Sequence, residues 1–91
     1  MKFVWQEDKN KILKQERNIS FEQVVLAIEN KQILDVMEHP NQSKYKGQKY
    51  LMIEINNYVY VVPAIIIDDE FHLITIYPSR KYTKKYLGGT K

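Results

Sequence analysis

The feature that most constrains the fold is the apolar run Tyr58–Ile67, which spans ten residues without a charged side chain. A strand that is buried on one face alternates apolar and polar residues, whereas this run is apolar on both faces. It therefore predicts an interior strand of a sheet. Pro63 cannot donate a hydrogen bond to a neighbouring strand, so we expect a bulge there. The run is also too short to cross a bilayer as a helix.

Shorter segments around this run carry strand and turn patterns. Ile33–Glu38 and the alternating segment Lys49–Ile55 predict two strands, and Asn56–Asn57 predicts a two-residue hairpin turn because asparagine accepts positive φ. Asp68–Glu70 predicts the next turn. Three adjacent carboxylates in a tight turn mostly point apart, so a solvated turn is favoured over a magnesium site. Phe71–Tyr77 predicts the last strand.

Two helices are expected before the strands. Gln6–Arg17 contains good helix formers and a thin apolar stripe, mainly Ile12 and Leu13. Ile19–Asn30 begins with an S-x-x-Q capping box at Ser20 and continues with apolar residues at helical spacing. Both segments predict helices.

The order of these elements predicts an α+β domain, with two N-terminal helices packed on an antiparallel meander and a short C-terminal helix over Tyr82–Leu87. The length fits a single domain, residues 1–91, in which residues 88–91 are expected to be a disordered tail. The chain has no cysteine, which excludes disulfides and thiolate chemistry. No secretory signal is visible, so we expect a cytoplasmic protein that is not associated with a membrane.

The net charge of +3 originates at the C-terminal end of the chain. From Phe71 to Lys91 there are five Lys/Arg and no Asp or Glu, whereas the rest of the chain has nine basic and eleven acidic residues. Arginine binds phosphate bidentately and tyrosine rings stack on bases, so basic residues among tyrosines favour RNA as a partner. The same run also fits a solvated basic tail that only keeps the protein soluble.

The chain has no phosphate-binding loop, zinc-protease helix or serine-nucleophile motif, so we expect no cofactor and no metal. RNA cleavage needs neither, because the ribose 2′-OH can attack the neighbouring phosphate. Arg80 and Lys81 suit stabilisation of the phosphate, with a phosphate grip without catalysis as the alternative. His39 is a candidate proton carrier, although a lone loop histidine is usually an ordinary surface residue. His72 lies inside a strand pattern and is interpreted as structural.

Four short motifs support a more specific hypothesis. They are F-x-W-x-x-x-K-N at Phe3–Asn10, I-S-F-E at Ile19–Glu22, an acid-rich strand end with a histidine loop at Asp35–Asn41, and S-R-K at Ser79–Lys81 with Thr83 two residues later. In this order and spacing the chain resembles the BrnT-type toxins of bacterial toxin–antitoxin modules. These are small ribonucleases whose fold is similar to that of the RelE toxins.

The resemblance implies a metal-independent endoribonuclease, a hydrolase that cleaves mRNA and is neutralised by a cognate antitoxin with DNA-binding activity. Arg80 would stabilise the scissile phosphate, Lys81 and Arg17 would hold neighbouring phosphates, and His39 would carry the proton. The predicted RNA-binding residues are Lys9, Lys49, Lys84, Lys85 and Tyr82.

The chain also departs from the family pattern. Gln6 replaces an aspartate, and Pro78 replaces a small residue. Arg17 stands where the family usually has histidine, which keeps a positive charge but removes a group that can transfer protons. The alternative function is therefore a noncatalytic RNA- or protein-binding module derived from this fold.

Overall fold

A six-stranded sheet forms the centre of the protein, and helices pack on both of its faces. The structure is a computed structural model, and it describes residues 2–88. The elements are β1 (Lys2–Val4), α1 (Glu7–Arg17), α2 (Phe21–Glu29), β2 (Ile33–Glu38), β3 (Gln48–Ile55), β4 (Tyr58–Ile67), β5 (Glu70–Leu73), β6 (Tyr77–Pro78) and α3 (Arg80–Leu87). The predicted α+β class is confirmed.

The strand order is β1-β5-β4-β3-β2, and the short β6 pairs with β4 beside β5. The predicted interior strand is confirmed, because β4 pairs with β3 on one edge and with β5 and β6 on the other. Neighbouring strands from β2 to β5 are antiparallel and form the predicted meander. The sequence did not predict β1, which adds to β5 in parallel and makes the sheet mixed.

Local turn and cap signals agree with the structure. Asn56 and Asn57 have φ values of 53° and 63° in the hairpin between β3 and β4. At the start of α2 the Gln23 N–H donates to the Ser20 hydroxyl at 3.3 Å. The Ser20 N–H donates in return to the Gln23 amide oxygen at 2.9 Å. The predicted turn and capping box are therefore confirmed.

The predicted last strand is interrupted opposite Pro63. Pairing between β3 and β4 is regular at Pro63. On the other edge of β4, the three residues 74–76 lie opposite the two residues 62 and 63. The Ile74 N–H donates to the Pro63 carbonyl at 2.9 Å, while Pro63 has no N–H to return. The extra residue of this bulge lets Ile76 turn fully into the core. The predicted strand is thus divided into β5 and β6.

Two apolar layers hold the helices. On one face of the sheet α1 and α2 cover Leu51, Ile53 and Val62, with Phe21 and Val24 fully buried between them. On the other face α3 lies over Met52, Val59 and Val61. None of the helices within residues 2–88 is long and apolar enough to cross a membrane.

A polar side chain occupies part of the stripe by which α1 is buried. Leu13 is buried as predicted, but Ile12 is 44% exposed and Asn10 is fully buried instead. The Asn10 amide oxygen accepts from the Phe21 N–H at 2.8 Å, and its amide nitrogen donates to Glu22 at 2.8 Å. This last bond is the main reason why the pKa of Glu22 lies below its usual range. Asn10 therefore joins α1 to the first turn of α2.

Gly88, the first residue of the predicted tail, lies within the described residues. Gly88 terminates α3, and its N–H donates to the Lys84 carbonyl at 3.2 Å. The remaining predicted tail residues, 89–91, lie outside the described residues.

Candidate nucleic-acid interface

The S-R-K motif forms the start of α3. The sequence predicted a strand up to Tyr77 and a helix only from Tyr82, whereas Arg80 and Lys81 lie in the first turn of α3. The reason is Ser79, whose hydroxyl accepts from the Tyr82 N–H at 3.1 Å and caps the helix. The first turn contains no acid, so two cations stand at the positive end of the helix dipole. That arrangement is unfavourable for the isolated helix and favours an anion nearby.

Thr83 fixes how α3 is turned on the sheet. Its side chain is 7% exposed, accepts from the Val59 N–H at 2.9 Å and donates to the Ser79 carbonyl at 2.7 Å. With Thr83 facing the sheet, Arg80, Lys81, Lys84 and Lys85 are all exposed. The ion pairs of the described residues lie elsewhere on the chain. The cations of α3 therefore face solvent and form no ion pair within residues 2–88.

Lysine and tyrosine side chains alternate along this surface. The Lys81 ammonium lies 5.3 Å from the centre of the Tyr82 ring, and Lys85 lies 5.4 Å from that of Tyr86. The two rings stack on each other with their centres 6.2 Å apart and their planes inclined by 24°. We call the surface formed by Arg80, Lys81, Tyr82, Lys84, Lys85 and Tyr86 the α3 face.

The end of α3 is attached to the edge strand β2. The Tyr86 hydroxyl donates to Asp35 at 2.7 Å. This hydrogen bond is the first cause of two opposite shifts: it lowers the pKa of Asp35 and raises the pKa of Tyr86 to about 12. The Asp35 carboxylate thus holds the last turn of α3, and the charge of nearby Lys85 adds to the lowering of its pKa.

A second aromatic group surrounds the predicted proton carrier. The His39 ring stacks on Tyr45 with centres 4.3 Å apart, and its Nε2 lies 3.3 Å from the Tyr50 hydroxyl. The Asn41 N–H donates to Nδ1 at 3.0 Å, so neutral His39 carries its proton on Nε2. Both ring nitrogens are therefore engaged, and in this tautomer neither nitrogen is free to accept a proton from a ligand.

Tyr77 extends this group towards α3. Its ring meets Tyr50 edge-on, with centres 6.5 Å apart. Burial and then the hydrogen bond with Tyr50 hold the pKa of Tyr77 well above its usual range, and the nearby Tyr82 adds to the shift. The Tyr77 hydroxyl is therefore a protonated hydrogen-bond donor at neutral pH. His39, Tyr45, Tyr50 and Tyr77, here called the His39 cluster, adjoin the α3 face at Tyr82.

Three predicted site residues lie away from these groups. The Arg17 guanidinium donates to the Ile76 carbonyl, so it ties the end of α1 to the bulged segment. Lys49 lies on β3 in phase with Leu51 and so points to the side of α1 and α2. Lys9 lines a groove beside Trp5. The structure thus gathers Arg80, Lys81, Lys84, Lys85 and Tyr82, with His39 reaching them through its tyrosines.

The sequence interpretation missed Tyr45 and Tyr50 as members of this surface. A usable signal exists, because the dipeptide Lys-Tyr occurs four times in 91 residues. In three of the four, including the pair at Tyr45, the ammonium lies over its own neighbour's ring. In the fourth, Lys49 and Tyr50 occupy a strand and point to opposite faces of the sheet.

Residues 2–88 contain no group of three or more histidine, aspartate or glutamate side chains placed to hold a metal ion. Comparison of the chain with models of known protein families, with curated proteins and with solved structures finds no match. The functional argument therefore rests on the geometry of the chain itself.

Proposed function

We propose that the α3 face binds single-stranded RNA and that the protein is a metal-independent endoribonuclease that cleaves mRNA. The observation that carries the proposal is the pairing, on one short helix, of four exposed cations with two stacked tyrosine rings. Cations suit the phosphates of a strand, and ring faces suit its unpaired bases. Both rings are half-buried against the apolar layer around Met52, so a base would stack on the part of each ring that stays exposed.

The chemistry uses the substrate's own 2′-OH as the nucleophile. Arg80 binds the phosphate and stabilises the charge that develops as the new P–O bond forms and the 5′-oxygen departs. Tyr77 contributes a hydrogen bond rather than a proton, because its high pKa makes proton release unfavourable. The 2′-OH proton would pass through Tyr50 to Nε2 of His39 and from there to the departing 5′-oxygen, which requires His39 to release the Asn41 N–H and carry its own proton on Nδ1. Lys81, Lys84 and Lys85 hold the flanking phosphates.

A cognate antitoxin is the proposed protein partner. The cations of the α3 face form no ion pair within the described residues, so acidic or aromatic side chains of an inhibitor would complement them. Amide hydrogen exchange in the complex should show protection across Tyr77–Lys85. Unchanged exchange in that segment would contradict this partner site.

A noncatalytic binding module is the second candidate. Two observations favour it: Arg17, in the position of the family's histidine, is bound to a backbone carbonyl, and both nitrogens of His39 have internal partners. Such a module would keep the α3 face and its affinity for RNA without cleaving it.

The decisive assay follows cleavage and affinity together for a single-stranded RNA in excess EDTA. Arg80→Ala should raise the activation free energy of cleavage by roughly 2–4 kcal/mol, as does the loss of one hydrogen-bond donor to a developing oxyanion. Affinity should fall much less, because three lysines remain. Lys11→Ala, an exposed cation of α1, is the matched control and should change neither quantity. If the wild-type protein binds the RNA but leaves it intact, even in the presence of ribosomes, the enzyme hypothesis is wrong. The noncatalytic binding module would then be the supported function.

A further inference from the structure

A groove outside both the α3 face and the His39 cluster lies where the parallel strands β1 and β5 end. It is lined by residues 4–6, Lys9 and residues 72–75, and has a volume of about 620 Å³. After β1 the chain turns into α1, whereas after β5 it continues along β4. The two strands therefore part at this groove. Its size is that of an ordinary small-molecule site.

The groove contains a fixed aromatic platform. The Trp5 indole N–H donates to Glu7 at 3.3 Å. The Trp5 ring stacks on the Phe21 ring with centres 5.6 Å apart and planes inclined by 26°. Trp5 is half-buried and also lines the groove. Because its orientation is set by these two contacts, a ligand ring would bind there at little cost in side-chain entropy.

The ionisable side chains that line the groove are basic, and most of its polar side chains have no hydrogen-bond partner within the described residues. Lys9 is half-buried, four residues from Trp5, and its ammonium has no hydrogen bond or ion pair within residues 2–88. The other ionisable lining residue, His72, uses only Nε2, which contacts Glu70 at 3.1 Å. The side chains of Gln6 and Thr75 likewise have no partner in that part of the chain. No acid lines the groove.

We infer that this groove binds a nucleotide with one phosphate, its base stacked on Trp5 and its phosphate on Lys9. An indole face fits a planar fused ring, and a single lysine fits a single phosphate. The Gln6 amide can both donate and accept, as the edge of a base requires. The nucleotide is either a free nucleoside monophosphate or the phosphorylated end of an RNA strand, and both present the same chemistry. This site does not depend on cleavage at the α3 face.

Intrinsic fluorescence tests the inference directly, because Trp5 is the single tryptophan of the chain. Titration of the wild-type protein with AMP should change the emission saturably. Lys9→Gln should weaken AMP binding by about tenfold or more, since a hydrogen bond to a charged group contributes about 1.5–3 kcal/mol. Lys11→Gln removes the same charge from α1 outside the groove lining and should leave the affinity unchanged.

Two further arms separate the sources of the ligand. Adenosine, which lacks the phosphate, should bind more weakly than AMP. A short RNA with a 3′-phosphate that changes the emission where AMP does not would assign the groove to a strand end, provided that Lys9→Gln abolishes the response. If neither AMP nor this RNA gives a saturable change, or if Lys9→Gln binds like the wild type, the inference is wrong. RNA cleavage is measured separately, so the outcome is independent of the proposed function.

Discussion

Single polar side chains decide how this small protein is assembled. Asn10 and Thr83 are buried, and each accepts a hydrogen bond from a backbone N–H in another element. Asn10 accepts from Phe21 at the start of α2, and Thr83 accepts from Val59 at the start of β4. A buried backbone N–H without an acceptor destabilises the fold, so the side chains of Asn10 and Thr83 stabilise the packing of their helices. Both belong to the motifs on which the family resemblance rests. Their presence in a motif therefore has a structural explanation that needs no catalysis.

Asn10→Ala should lower the free energy of unfolding by about 1–3 kcal/mol, because the buried Phe21 N–H loses its acceptor. Asn10→Asp should recover only part of this loss: it keeps an acceptor, but adds a carboxylate beside Glu7 and Glu22. Urea unfolding followed by circular dichroism measures both variants. Wild-type stability in Asn10→Ala would contradict the joining role of Asn10.

At the residue scale α3 offers a parallel test. Thr83→Val is close in shape but leaves the Val59 N–H without an acceptor, so a loss of about 1–3 kcal/mol is expected. Thr83→Ser keeps the hydroxyl and should be close to the wild type. Thermal unfolding distinguishes them. Wild-type stability of Thr83→Val together with a destabilised Thr83→Ser would show that the methyl group, not the hydrogen bond, matters.

At the scale of elements α3 is held at both of its ends. Ser79 and Thr83 attach its beginning to Val59 of β4, and Tyr86 attaches its last turn to Asp35 of β2. Half-buried Tyr82, Tyr86 and Leu87 pack between these attachments on the apolar layer around Met52. The helix is only eight residues long, too short to be stable alone in water. These contacts therefore determine whether the cations and rings of the α3 face are aligned.

The Tyr86–Asp35 bond makes the docking of α3 depend on pH. The pKa of Tyr86 is raised, so its contribution is complete below the ordinary value of about 10 and is lost as pH rises through about 12. The pKa of Asp35 is lowered, so its contribution is present above the ordinary value of about 3.9 and is lost as pH falls through the lowered pKa. Tyr86→Phe should lower the melting temperature between these limits, and the difference from wild type should shrink beyond both. Tyr58→Phe is the control, and a constant difference at all pH values would refute the coupling.

At the scale of the whole molecule, the sequence predicted what short-range signals encode. The capping box at Ser20, the Asn56–Asn57 turn and the both-face apolar run of β4 are local patterns, and all three are present. Pairing of β1 with β5 joins residues almost seventy positions apart, and no local pattern in Lys2–Val4 indicates it. The division between β5 and β6 depends on Pro63 in a neighbouring strand. It therefore could not be read from the segment itself.

The candidate site follows the same rule. Composition alone located the cations, because an excess of Lys and Arg is visible without a fold. Their division between surfaces was not visible, since it depends on strand phase and helix rotation. Lys49 and Arg17 fall on the side of α1 and α2, while Lys81 and Lys85 fall on the α3 face. The contacts of His39 with Tyr45 and Tyr50 likewise could not be predicted, because they depend on the conformation of the loop after β2.

This division predicts how the whole molecule responds to salt when it binds RNA. Each phosphate of a single strand that a lysine neutralises contributes about 0.7 to the slope of log affinity against log salt concentration. The double variant Lys81→Gln/Lys85→Gln should therefore lower that slope by about 1.4. The double variant Lys11→Gln/Lys49→Gln has the same net charge as the first double variant but loses its two lysines from other surfaces. It should leave the slope unchanged. Affinity measured by fluorescence anisotropy at several salt concentrations gives both slopes. Equal reductions in the two double variants would mean that RNA responds to net charge alone, and an α3-specific interface would then be excluded.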